Sequence, residues 1–301
     1  MNRLIIDGSN LLHRAHWIAN SNSNLSVYHL FLSSMKKLMV DYSTSDVFCA
    51  WDTRLIYDSV SFRKEMTGHT YKGNRDRERN EEVHNNQENI ARITEYLGVK
   101  NIYPGILEAD DVIYWLCRYR ADDKHNIIVS ADQDLLQLID DNTSVYSPIK
   151  KVLVNTDNFE EFTGVSIDSF VQFKALMGDK SDNIQGVPRC GKKTALRYIE
   201  QGVTSCLTPE NLEIYNSALK LVDLSQGIKE HPGDVDLYES QYTDLQELQP
   251  DLDKFRSVCE SYNLKTMITN IPTFKRLINN VDEASVIENT VNDLVKRLNL
   301  S

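Results

Sequence analysis

The sequence predicts an α/β fold, with a mostly parallel sheet covered by helices over residues 1–165 and a helical region over 166–301. Three observations carry this. Short, continuously apolar runs (Leu4-Ile5-Ile6, Val47-Phe48-Cys49-Ala50-Trp51, Ile127-Ile128-Val129) have the length and composition of strands buried on both faces. Segments with helical apolar spacing separate them, and strand–helix alternation is the signature of a parallel sheet. Beyond residue 166 only helical spacing continues.

Taken in order, residues 3–7 read as a buried strand, followed by a turn at Gly8-Ser9-Asn10. Leu30, Phe31, Met35, Leu38 and Met39 give residues 25–41 a helical period, and 46–51 form a second strand. Residues 69–89 carry almost no apolar side chains and so project into solvent or meet a polar ligand. The apolar period returns at Ile90, Ile93, Tyr96 and Leu97. A short strand is expected at 99–103 and a helix at 108–120, with acidic residues in its first turn where the dipole favours them. Another strand follows at 126–131 and a short helix at 133–139. Val145-Tyr146 and Lys151-Val152-Leu153-Val154 flank a turn and suggest a hairpin. Helices are expected at about 167–177, 191–201 and 211–222, and a C-terminal one at 283–298; residues 230–301 show no other clear organisation.

Composition is that of an ordinary globular protein, 41% apolar and 26% charged, with a formal net charge of −11. Five cysteines without a CxxC pair fit a reducing compartment and exclude a zinc or disulfide framework. The N-terminal run reaches Asp7 too soon for a signal peptide, and no apolar stretch approaches the roughly 20 residues that span a bilayer. A cytoplasmic protein without membrane partners is expected.

Several of the apolar runs end in a carboxylate: Asp7, Asp52 and Asp132. In an open α/β sheet the carboxyl ends of the strands line the ligand crevice. Glu108, Asp110, Asp111, Asp134, Asp179 and Asp182 occur in similar tight groups. A single acidic pair at a helix start is usually a cap or a solvated charge. Nine carboxylates in five groups instead suggest hard divalent cations, which take oxygen ligands. A two-metal site for phosphoryl hydrolysis needs about this many donors. Removing these nine takes the formal charge from −11 to −2, so most of the acidity belongs to one pocket and the outer surface is free to carry basic patches.

The order of the motifs is specific. Ile6-Asp7-Gly8-Ser9-Asn10-Leu11-Leu12-His13-Arg14, Trp51-Asp52 leading to Phe62-Arg63, and Tyr71-Lys72-Gly73-Asn74-Arg75 are followed by Glu108-Ala109-Asp110-Asp111. Ser130-Ala131-Asp132-Gln133-Asp134-Leu135-Leu136-Gln137-Leu138 and Met177-Gly178-Asp179-Lys180-Ser181-Asp182-Asn183-Ile184 complete the series. Together they resemble the 5′-nuclease family, which includes bacteriophage 5′–3′ exonucleases, flap endonucleases and the 5′-nuclease domain of bacterial DNA polymerase I. The resemblance covers about residues 3–200 and looks most like a stand-alone phage enzyme, acting in the host cytoplasm. It implies a Rossmann-like (PIN-like) core, a helical arch over 71–97, and a helical subdomain with a helix–hairpin–helix element at 183–200. It also implies that all nine carboxylates serve two Mg2+ or Mn2+ ions, directly or through water. The implied activity is hydrolysis of phosphodiesters near DNA 5′ ends, flaps or nicks, and of RNA in RNA–DNA hybrids, as in primer removal, by a monomer.

By the same resemblance Lys72 and Arg75 match a basic pair near the scissile phosphate, where they stabilise developing charge beside Asp132 and Asp134. Residues 61–80 hold six basic side chains against three acidic ones. Tyr71 is suited either to stack a base or to pack in the core. Arg63 is suited to contact a phosphate or to pair with a neighbouring carboxylate. Gly186-Val187-Pro188-Arg189-Cys190-Gly191-Lys192-Lys193 nearly matches a P-loop, but Lys193 stands in place of the required Ser/Thr and no buried strand precedes it. It reads better as the helix–hairpin–helix turn: Gly186 and Gly191 let the backbone approach phosphates, and Arg189, Lys192, Lys193 and Arg197 add charge. A tight helix–helix connection with incidental lysines is the plain alternative. Family members often hold a K+ ion here; Arg189-Cys190 departs from their usual pattern. A PIN-type ribonuclease is the nearest rival, expected to be smaller and without this turn. A DNA-binding factor that has lost catalysis would show broken acidic blocks.

Overall fold

The computed structural model describes residues 1–22, 25–53, 61–67, 71, 77–120 and 122–279, with backbone alone for 77–84. Strands β1 (Asn2–Asp7), β2 (Val47–Ala50), β3 (Lys100–Ile102), β4 (His125–Val129), β5 (Thr143–Ser147) and β6 (Val152–Val154) form one sheet in the order β3-β2-β1-β4-β5-β6. All pairings are parallel except β5–β6, the expected hairpin. This is the doubly wound order. The chain runs outward from β1 to β3, then crosses to β4 on the other side of β1, so a crevice opens beyond the carboxyl ends of β1 and β4.

Alternate strand residues feed two cores, as the pleat requires. Leu4, Ile6, Val47, Cys49, Ile127 and Val129 pack with the helices Gly8–Ser21, Val27–Asp41 and Arg77–Glu95. Ile5, Phe48, Ala50 and Ile128 pack on the other face with the helix Ala109–Tyr119. A third cluster lies among the helices Phe170–Met177, Lys192–Gln201 and Pro209–Val222. Residues 224–278 form further helices, Leu224–Glu230, Pro232–Leu245, Leu252–Ser261, Lys265–Thr269 and Ile271–Ile278. They return to the sheet: Phe255, Cys259 and Phe274 enter the first core, Leu224, Ile228 and Tyr238 the second.

Two local expectations change. Gly8-Ser9-Asn10 is no turn but the opening of a helix, capped by Asp7, whose Oδ1 accepts the Asn10 N–H at 2.9 Å. A side chain at Gly8 would meet the Trp51 ring at 2.7 Å, so close packing explains this glycine. Residues 134–138 form a 3-10 turn (Asp134–Leu138) where a short helix was expected. The expected helix at 283–298 lies outside the described residues. Among the described residues no helix is long and apolar enough to cross a membrane.

At the opposite end of the sheet, Asp46 receives Lys124 Nζ at 2.7 Å, Lys100 Nζ at 2.9 Å and Arg3 Nε at 3.1 Å. Burial opposes its charge, but these cations outweigh burial and hold the carboxyl at about 2. A depressed carboxyl stabilises the fold above its unfolded pKa, and that contribution is lost as pH falls from about 4 toward 2. Asp46→Asn should therefore lose about 2 kcal/mol in urea unfolding at pH 7, a difference that closes near pH 2. Equal stability at pH 7 would mean the cluster adds nothing net.

Candidate active site

The crevice at the ends of β1, β2 and β4 gathers the first carboxylates. Asp7 Oδ2 accepts Ser130 Oγ–H at 2.7 Å, and the same Ser130 oxygen accepts the Asp132 N–H at 3.0 Å. Asp52 Oδ1 accepts the N–H of Ala109, the first residue of the helix Ala109–Tyr119, at 2.9 Å. Its own N–H donates to Ser9 Oγ at 2.8 Å. The helix N-terminus thus points its first amide and positive dipole end at this carboxylate. Burial pushes the Asp7 carboxyl up, against hydrogen bonds from Asn10 and Ser130 and with further repulsion from Asp52 and Asp132, to about 7.

A second group surrounds Lys174. Its Nζ lies 2.7 Å from Asp134 Oδ1 and 2.6 Å from Asp179 Oδ2. Burial raises Asp134 to about 6 despite Lys174, with Asp132 and Asp179 adding repulsion. Asp179, less enclosed, is held at about 2, because Lys174 and Ser181 outweigh its burial. Asp132, whose Oδ1 accepts the Asp134 N–H at 2.9 Å, acts on both groups. Lys174 was not singled out from the sequence. The available signal was a lone lysine in the otherwise mostly apolar stretch Phe170–Met177, just ahead of Asp179 and Asp182. Lys174→Met leaves two close carboxylates without their cation. It should cost roughly 1–3 kcal/mol in urea unfolding at pH 7; no loss would mean the ion pairs do not form in solution.

A third group is locked by Arg63. Its guanidinium grips Asp111 through NH1–Oδ2 (2.7 Å) and NH2–Oδ1 (2.9 Å), reaches Glu108 Oε2 at 3.4 Å and donates Nε–H to the Leu221 carbonyl at 3.2 Å. Asp111 Oδ2 also accepts the Glu108 N–H at 3.0 Å. Arg63 is 2% exposed and pairs with these carboxylates, the second of the two roles its sequence position allows. Tyr71 is buried too, and its hydroxyl donates to Glu108 Oε2 (3.1 Å) and Asp182 Oδ2 (3.3 Å), so the base-stacking expectation gives way to core packing. Asp111, expected as a ligand, has both oxygens turned to Arg63. Asp110 sits half-buried in the same helical turn.

The basic turn is presented to solvent. Arg189, Lys192, Lys193 and Arg197 are exposed, and Gly191 caps the helix Lys192–Gln201 with open space where a side chain would stand. Gly186 differs: a side chain there would meet the Met177 and Gly178 backbone at 2.4–2.5 Å, so chain-on-chain contact explains it. Lys72 and Arg75 lie outside the described residues.

The donors fit a hard cation. Asp7, Asp52, Asp132, Asp134 and Asp179 offer only oxygen, and the upward shifts of Asp7 and Asp134 mark charge that a cation would restore. Among the described residues no three of these groups are already gathered into a cage.

Comparison with known proteins agrees with this geometry. The family described as "5'-3' exonuclease, N-terminal resolvase-like domain" matches residues 2–164. A 5'-3' exonuclease of Buchnera aphidicola is 32% identical over 206 residues, covering 66% of this chain and 69% of the relative. One from Halalkalibacterium halodurans is 32% identical over 214 residues, with the same coverage. DNA polymerase I of Lactococcus lactis is 31% identical over 218 residues, covering 66% of this chain and 24% of the polymerase. Two bacteriophage T5 structures are similar in fold, each covering 82% of this chain and 99% of the other. They are the 5'-exonuclease with bound zinc (TM-score 0.65, 23% identity) and the flap endonuclease in a pseudo-enzyme-product complex with DNA and metal ions (TM-score 0.67, 23% identity). A match through the whole sheet, and relatives about a third identical over two thirds of their length, establish that the chain belongs to the 5'-3' exonuclease family.

Proposed function

We propose that this family member is a metal-dependent, structure-selective 5′-nuclease that hydrolyses phosphodiesters near DNA 5′ ends, flaps or nicks. The observation that carries the reading is the juxtaposition of Asp7 and Asp132 through Ser130 at the switch point of the sheet, with Asp52 and Asp134 beside them. Asp7, Asp52, Asp132, Asp134 and Asp179 would hold divalent cations, Mg2+ or Mn2+, with Glu108, Asp110, Asp111 and Asp182 acting behind them. When bound, two such ions supply an activated water and neutralise the attacking and leaving oxygens. The T5 relatives, crystallised with metal ions and with DNA, support the same reading.

The chain's own residues do the rest. Asp7 and Asp134, enclosed and held by Ser130 and Lys174, orient the donor atoms. Lys72 and Arg75, on the segment leading into the helix Arg77–Glu95, stabilise charge on the scissile phosphate. Gly191, Lys192, Lys193, Arg189 and Arg197 grip the duplex backbone without reading sequence, as a helix–hairpin–helix turn over 183–200 that takes a K+ ion. The enzyme acts as a monomer in the cytoplasm, and RNA of RNA–DNA hybrids is a further substrate, which suits primer removal. A 5′-labelled flap incubated with Mg2+, and in parallel with EDTA, tests the proposal. A short 5′-terminal product only with Mg2+ is expected; the absence of any metal-dependent product overturns it.

A further inference from the structure

The helix Pro232–Leu245 lies in a region to which the sequence assigned no role, yet it holds the segment that delivers Glu108 to the crevice. Asp234, in its first turn and 7% exposed, accepts three consecutive backbone N–H groups from that segment. Gly105 and Leu107 donate to Oδ2 at 3.0 and 3.1 Å, and Ile106 donates to Oδ1 at 3.3 Å. The Tyr238 hydroxyl, one helical turn on, donates to Oδ2 at 3.1 Å. Two turns on, Gln241 clamps the same segment: its Oε1 accepts the Tyr103 N–H at 2.9 Å and its Nε2 donates to the Tyr103 carbonyl at 2.8 Å.

From Gly105 to Ala109 every amide is therefore taken by a carboxylate: Asp234 for 105–107, Asp111 for 108 and Asp52 for 109. The run fixes where the Glu108–Asp111 turn begins relative to Asp52. Gly105 is part of the device, since a side chain there would meet Asp234 Oδ1 at 2.7 Å. Placing another anion behind an acidic crevice is unfavourable unless its charge is spent on hydrogen bonds, and here four donors meet it. A neutral amide would offer one acceptor oxygen and aim an NH2 group at backbone N–H donors.

We propose that Asp234 is a positioning residue for the metal site, acting through the 105–109 backbone on Asp52, one of the proposed ligands, and on Glu108 behind it. The inference rests on the metal-dependent reading above. Partners that orient ligands typically tune metal affinity about 10- to 100-fold. Asp234→Asn should weaken Mn2+ binding to the full-length protein, measured by isothermal titration, by about that factor. Far-UV circular dichroism and DNA affinity in EDTA should stay at wild-type values. Gly105→Ala, which disturbs the same contact from the other side, should give the same pattern and serves if Asp234→Asn does not fold. The apparent Mg2+ requirement for cleavage should rise in parallel, with the rate at saturating Mg2+ recovering most of its wild-type value. Folded variants with wild-type Mn2+ affinity overturn the positioning role alone, as does a weakening that only tracks a lost folded fraction. Wild-type protein that binds no Mn2+ overturns the metal reading instead.

Discussion

Arg63→Ala should cost about 3–5 kcal/mol of folding stability, the largest loss expected from any single charge in this chain. Asp111 is fully enclosed and Glu108 nearly so, and among the described residues Arg63 pairs with both. Taking it away leaves two buried carboxylates close together and strips the Leu221 carbonyl of its donor. The alternative of pushing both groups to their neutral forms does not restore the lost bonds. Asp111 accepts two parallel guanidinium N–H groups, a geometry that the lysine ammonium does not reproduce. Arg63→Lys should therefore recover only part of the loss, while an Arg63→Ala, Asp111→Asn double variant should recover more, because it removes the stranded charge. Guanidinium unfolding of the three variants checks this. An Arg63→Ala variant within 1 kcal/mol of wild type would mean that the guanidinium is not an anchor.

What the sequence made readable follows from how charge is distributed along a buried strand. A carboxylate directly after Leu4-Ile5-Ile6 or after Val47–Trp51 has no apolar environment left to enter, so it stands at the strand's end, and strand ends in a doubly wound sheet share one crevice. The positions of Asp7, Asp52 and Asp132 could be read for that reason. Pairing could not. A basic residue in a polar segment reads as solvent-facing, and Arg63 lies in one, but the carboxylates it serves are 45 and 48 positions away. Lys174 and Asp234 escaped notice for the same cause, since each looks like an ordinary surface charge until its distant partners are known. The helix Pro232–Leu245 was hidden differently. Its inner face is the stripe Val235, Tyr238, Tyr242 and Leu245 on the second core, but two of the four are tyrosines, only Tyr238 is fully buried, and the exposed Leu237 between them blurs the period.

Asp132→Asn should separate activity from stability more sharply than any other change. The amide keeps the shape and retains an oxygen to accept the Asp134 N–H, so the local turn survives. On the proposed metal reading, its lost charge removes a cation ligand between the two carboxylate groups, and several kcal/mol of transition-state stabilisation with it, which corresponds to a cleavage rate lower by roughly 10^3-fold or more. The same lost charge relieves Asp7 and Asp134. Both carboxyls titrate above their ordinary range, chiefly from burial and in part from Asp132. A carboxyl raised in the folded state weakens the fold as pH climbs from about 4 through its raised value, because the unfolded chain gives up the proton first. Removing one source of repulsion lowers that penalty, so metal-free Asp132→Asn should be as stable as wild type at pH 4 and more stable by about 1 kcal/mol at pH 8. Single-turnover cleavage of a 5′-flap substrate and urea unfolding in EDTA at the two pH values provide the readouts. Cleavage within tenfold of wild type would remove Asp132 from the mechanism, and a variant less stable than wild type at pH 8 would show that its charge is held by favourable contacts rather than tolerated for function.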